Sequence, residues 1–196
     1  HFRVVHRSLY TRNLGPRPDH QHEASPDDES DACRLCLMTR ERFSHLAECY
    51  SIQQVFSHLA AFIHDIAPQI RVAMTPSFIY LGLTTDHQVL PPGLSALHTM
   101  VWKFLLIDFV KVDTEKASFK PERIWKAAVL RLNRKVEARF TYLSERSVSA
   151  LSLGKVPTPL DTENHALPLA TFEQDQDYAV IYITNLSWRR LVDEVQ

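Results

Sequence analysis

Cys33-Arg34-Leu35-Cys36 is followed after eight residues by His45-Leu46-Ala47-Glu48-Cys49, and an apolar-striped stretch then runs on to Ile66. Tetrahedral zinc takes four soft or borderline ligands, and a Cys-x2-Cys pair supplies two thiolates from one tight turn. His45 and Cys49 are four apart, so on a helix they stand one turn apart on the same side. Cys33, Cys36, His45 and Cys49 can therefore close around a single Zn2+ ion. With all four positions filled by protein, the metal is expected to be structural rather than catalytic. The competing reading is three small core cysteines and an unrelated surface histidine. A thioredoxin-type redox pair fits less well, because Cys33 and Cys36 neither follow a strand nor open a βαβ unit. These are all the cysteines of the chain, and an odd, clustered set makes a poor disulfide framework.

Working outward, three helices are expected. The first spans about 40–66, with Phe43, Leu46, Tyr50, Phe56, Leu59, Phe62, Ile63 and Ile66 as its apolar stripe, and Pro68 stops it. The second begins after Pro91-Pro92-Gly93, runs to about Val112, and is apolar nearly all round, so it should sit at the centre. There His98 reads as a hydrogen-bonded core histidine and Trp102 as a core anchor. The same region holds the longest apolar run, Leu94 to Val110, but His98, Lys103 and Asp108 interrupt it and it is too short for a membrane span. The third helix starts near Pro121, a residue suited to a first helical turn, and continues past Leu143. Trp125, Val129, Leu132, Val136, Phe140 and Leu143 fall on one face of it, and Arg123, Arg131, Arg134, Lys135 and Arg139 on the other. Ser77–Leu83, β-rich and bounded by Pro76 and Gly82, reads as a short strand. Tyr178–Thr184 alternates and is β-branched, and can pair with Leu167–Phe172 across Gln174-Asp175-Gln176-Asp177.

The expected fold is mainly α: a helical domain built on a zinc knuckle, with a small β-hairpin near the C-terminus. Its expected parts are a basic arm and acidic loop (1–32), the knuckle plus helical core (33–150), and an acidic C-terminal segment containing the hairpin (151–196). At 196 residues with 45% hydrophobic content, the chain can bury a core without disulfide staples. Lys and Arg number 22 against 23 Asp and Glu, a net charge of -1, so any attraction to nucleic acid must come from a local patch. Two patches offer themselves: Arg3, Arg7 and Arg12 with Tyr10 in the N-terminal arm, where Arg17 adds to the basic charge, and Arg131, Arg134, Lys135 and Arg139 on the third helix. The plainer alternative for the helix is a solvated face, partly neutralised by Glu122, Glu137 and Glu145. His20 and His22, two apart in a loop, could bind metal, but a pair near a fragment end is the weaker candidate. The chain opens with His1 rather than Met and shows no signal-peptide pattern. It is therefore read as a fragment of something longer or a processed piece, not secreted and intracellular, with the nucleus among the compartments considered.

Cys33-Arg34-Leu35-Cys36 with His45-Leu46-Ala47-Glu48-Cys49 resembles the zinc-binding region C-terminal to the polymerase domain of non-LTR retrotransposon reverse transcriptases. Upstream, His6-Arg7-Ser8-Leu9-Tyr10-Thr11-Arg12 resembles the basic segment that precedes that zinc site. Downstream, Phe56, Leu59, Ile79-Tyr80-Leu81-Gly82-Leu83 and the Trp102-bearing helix follow in similar order, so the likeness covers roughly residues 1 to 112. It implies binding of RNA or DNA in support of target-primed reverse transcription, as part of a longer polyprotein, with Arg7, Arg12 and Arg34 near enough to touch phosphates. Polymerase chemistry is not implied. No aromatic-x-Asp-Asp motif is present, and the only Asp-Asp pair, Asp27-Asp28, follows Pro26 in the acidic loop. Enzymatic activity is not expected here: the chain lacks a Gly-x-Ser-x-Gly elbow, a Gly-rich phosphate loop and a His-Glu-x-x-His pair. Two other readings stay open, a protein-interaction scaffold that zinc merely stabilises and a degenerate fragment of a mobile element.

Overall fold

In the computed structural model, residues 32–33, 35–38, 43–115, 118–156, 169–177 and 179–196 are described. Among them are six helices and one hairpin: α1 Phe43–Glu48, α2 Tyr50–Ile66, α3 Pro76–Leu81, α4 Pro92–Glu115, α5 Pro121–Ser152, β1 Ala170–Gln174, β2 Val180–Thr184 and α6 Leu186–Val195. The fold is mainly α with a small antiparallel sheet near the C-terminus, as the sequence predicts.

The single helix expected over 40–66 is two. Cys49 is extended (φ -62°, ψ 117°) and caps the start of α2. The carbonyl that this break leaves without a helical partner, that of Ala47, accepts instead from the Gln53 side-chain amide at 3.1 Å. One extended residue barely disturbs a 3–4 spacing, which is why periodicity does not register it. The break does change which residues face inward. Ile52, Val55, Phe56, Leu59 and Ile63 are fully buried, whereas Tyr50, expected in the apolar stripe, is 68% exposed.

Ser77–Leu83, expected as a strand, is instead mostly α3. Local end signals override β propensity: the Thr75 hydroxyl accepts from the Phe78 N–H at 3.2 Å, and Pro76 opens the first turn. Gly82 closes the helix in the left-handed region (φ 65°, ψ 37°), its N–H donating to the Phe78 carbonyl. Only Leu83 retains β character, as an isolated bridge to Val89.

Helix ends expose carbonyls that need donors, and α4 supplies them to α3. His98 Nε2 lies 2.9 Å from the Phe78 oxygen and 3.0 Å from that of Ile79. With two carbonyls as partners, that nitrogen carries the proton. The Trp102 indole N–H also donates to Ile79. His98 is thus a buried, hydrogen-bonded histidine and Trp102 a core residue, as expected. Phe56 packs against Phe78, His98 and Trp102, while Trp125 and Trp188 both meet Phe62. Asp108, buried on α4, receives both its hydrogen bonds from Arg123 of α5, at 2.8 and 2.7 Å, a charge-assisted clamp between the two longest helices.

The hairpin pairs Ala170 with Thr184 through Gln174 with Val180, close to the expected pairing. Its turn is held by Asp175, whose carboxylate accepts from the N–H groups of Asp177 at 2.9 Å and Ala179 at 2.7 Å. Phe172 stacks on Phe140 of α5. Helix α6 is an addition to the expected elements. Asn185 caps it by accepting from Ser187 at 2.9 Å, and Trp188, Val192 and Val195 enter the same core as α2, α4 and α5.

Two outcomes follow from the α3–α4 junction. Gly82→Ala forces a Cβ into the left-handed region and should cost about 1 kcal/mol or more by denaturant titration. Burial lowers the His98 pKa, so the native state favours its neutral form. That contribution is present above the ordinary histidine pKa of about 6.5 and is lost as pH falls below it. The stability gap between the wild-type chain and His98→Gln should therefore narrow from pH 7 towards pH 5; a constant gap would refute the assignment.

Candidate metal centre

The Cys33–Cys36 segment forms a tight turn in which the Leu37 N–H donates to the Cys33 carbonyl at 2.7 Å. Leu37 itself adopts φ 58°, a conformation costly for a bulky side chain. The turn is tied to α2 by the buried Ser51 hydroxyl, which donates to the Leu35 carbonyl at 3.1 Å. His45 projects from α1, and Cys49 from the extended residue between α1 and α2. His45 and Cys49 are therefore not on one continuous helix as expected, yet they still converge.

Cys33 and Cys49 are fully buried, and Cys36 and His45 are half-buried. The Sγ atoms of Cys33 and Cys49 are 3.9 Å apart, and Cys36 Sγ lies 3.3 Å from His45 Nε2. All four ligand atoms lie within 4.8 Å of one another. Metal–ligand bonds of 2.0–2.3 Å in a tetrahedron place ligand atoms about 3.5–3.8 Å apart. One ion at the centre can touch all four with small adjustments. The cysteines are free thiols, and 3.9 Å is far beyond an S–S bond of about 2.05 Å. Together the four side chains form a cluster that could hold a metal ion, with no position left over for a substrate.

A hydrogen bond from the Cys49 thiol stabilises the Cys33 thiolate and holds its pKa down to about 5 against the opposing effect of burial. Cys49, the donor of that bond and itself buried, is pushed well above the usual thiol range. The proton the pair shares must leave when a metal binds.

Sequence reasoning missed the side chains that position this cluster. Ser51 is one. Tyr80 of α3 is the other: its hydroxyl oxygen accepts from the Ala47 N–H of α1 at 3.1 Å, and its ring stacks on Trp102 at 5.9 Å. Burial pushes the Tyr80 phenol up to about 12, so it stays neutral. Neither residue carries a spacing signal, because both act through backbone groups distant in sequence.

Arg7, Arg12 and Arg34, with Arg3, Arg17, Tyr10, His20, His22, Asp27 and Asp28, lie outside the described residues. Arg131, Arg134, Lys135 and Arg139 are exposed on α5, and they stand apart from the metal cluster in sequence and in element. The Arg139 guanidinium lies over the Tyr142 ring, 5.3 Å from its centroid. His64 is exposed, while His58 stacks on Trp125 at 5.9 Å.

No protein-family model, curated protein or solved structure matches the chain. Among the described residues, no helix is long and apolar enough to cross a membrane.

The purified chain should carry about one equivalent of divalent metal by elemental analysis, and Cys36→Ser should lose most of it and unfold at lower temperature. Ser57→Ala, on the exposed side of α2, is the control. Equal metal content in the wild-type chain and Cys36→Ser would remove the site.

Proposed function

We propose that the chain is a zinc-stabilised nucleic-acid-binding module of the kind found C-terminal to the polymerase in non-LTR retroelement reverse transcriptases, without catalytic residues of its own. The single observation that supports it most is the convergence of Cys33, Cys36, His45 and Cys49 on one point. Three sulfurs and one imidazole favour Zn2+ over magnesium, calcium or manganese, which take oxygen ligands. Zinc in such a site fixes the fold and performs no chemistry.

In this reading RNA or DNA is the partner, met through phosphates with limited sequence reading. Arg7, Arg12 and Arg34 would contact it beside the knuckle, and Arg131, Lys135 and Arg139 would do so from α5. The module would act intracellularly, in the nucleus where target-primed synthesis occurs, as one part of a longer polyprotein. A second reading, a protein-interaction scaffold, draws on Leu37 and Met38, which are 74% and 83% exposed beside the knuckle, and on the near-balanced charge.

Affinity for a labelled oligonucleotide should fall steeply as salt rises, with log affinity linear in log salt concentration. Replacing Arg7, Arg12 and Arg34 together by Glu should weaken binding at least tenfold at low salt. Flat salt dependence, or undiminished binding by the triple variant, would favour the scaffold.

A further inference from the structure

We infer that an exposed stripe on α5, formed by Arg131, Lys135, Arg139, Tyr142 and Arg146, is a track for single-stranded nucleic acid, with Tyr142 as the platform on which an unpaired base stacks. This rests on the nucleic-acid reading above and specifies its ligand. The five residues stand at i, i+4, i+8, i+11 and i+15, the spacing that keeps side chains in one line along a helix. At 1.5 Å per residue the line is about 22 Å long. All five side chains are exposed, and the line flanks the face on which Trp125, Val129, Leu132, Val136 and Leu143 are buried.

Charge along this line has one sign. Glu137 falls off it and accepts a hydrogen bond from Asn133 at 2.8 Å, and Glu145 borders it, three residues from Tyr142. Arg134, grouped with the basic side chains when the sequence is read alone, shares its side of the helix with Glu137 at i+3 and is outside the stripe. A chain with net charge -1 that nonetheless lines up four cations without an intervening carboxylate is complementary to a polyanion.

The aromatic within the line chooses among polyanions. Tyr142 is 52% exposed, and Arg139 sits over its ring, an interaction that steadies the ring where a base would stack. Stacking needs an unpaired base, whereas a duplex offers only its phosphates to such a surface. An unpaired base can use both the ring and the cations, whereas phosphates alone use only the cations.

The test uses the whole metal-loaded chain, a labelled oligothymidylate and a blunt duplex of equal length. Tyr142→Ala should weaken binding of the single strand about tenfold or more and leave duplex binding within about twofold, while Tyr142→Phe retains single-strand affinity. Lys135→Gln with Arg146→Gln should lower the log–log salt slope by about 0.7 for each phosphate that is no longer neutralised. Arg134→Gln should change the slope less. These side chains are exposed, so unfolding midpoints should not move. The track is refuted if Tyr142→Ala binds the single strand as tightly as the wild-type chain, even though wild-type binding would leave the broader reading intact. Competition by polyglutamate as effective as by the oligonucleotide also overturns it. Absence of binding to either nucleic acid at low salt removes both the track and the reading on which it rests.

Discussion

Three thiol sulfurs and an imidazole nitrogen gathered within 4.8 Å of one another form an arrangement that could hold a cation. Without one, ionising more than one of these thiols sets like charges side by side in a half-buried site. With a cation held there, the same closeness would become a source of stability. Structural zinc binding in small peptides is worth about 10–16 kcal/mol at neutral pH, comparable to the roughly 5–15 kcal/mol that holds a whole domain folded. The left-handed Leu37 and the helix break at Cys49 are local costs that a gain of that size would offset.

The front of the chain is then transmitted into the core by a few polar contacts. Ser51 ties the knuckle backbone to α2, and Tyr80 ties α1 to α3. The carbonyl end of α3 is in turn held by His98 and Trp102 of α4. Each of these bonds satisfies a backbone group that a helix end or break leaves exposed. The aromatic side chains around Phe56 bury the junction. A disturbance at the metal centre should therefore reach α4 through α3, not only through the apolar contacts of α2.

Helix α5 serves as the frame for the remainder. One face packs on α2 and α4, another receives the hairpin through Phe140 and Phe172, and a third carries the basic stripe. Its length, Pro121–Ser152, gives it room for all three. The exposed cations cost little there, because the apolar residues of the other faces already secure the helix.

The Cys/His cluster, the helices Pro92–Glu115 and Pro121–Ser152 and the C-terminal hairpin were legible in the residue order because each depends on short-range spacing: Cys-x2-Cys, a 3–4 apolar repeat, and alternation in β2. His98 as a bonded core residue was legible too, since a lone histidine in an apolar helix must find a partner. What lay beyond reach were features set by contacts distant in the chain or by a single backbone torsion. The extended Cys49 leaves the apolar repeat nearly unchanged, so the break between α1 and α2 does not show in it. Residues 77–83 have β-rich composition, yet Thr75, Gly82 and the donors on α4 make a helix the conformation with its backbone groups satisfied. The amphipathic pattern of α6, with Trp188, Val192 and Val195 on one side, is short and lies among carboxylates; only the core that receives Trp188 decides that it folds inward. Spacing along the chain settles which residues can share a face, but which faces meet, and which carbonyls find donors, is settled only when the helices pack.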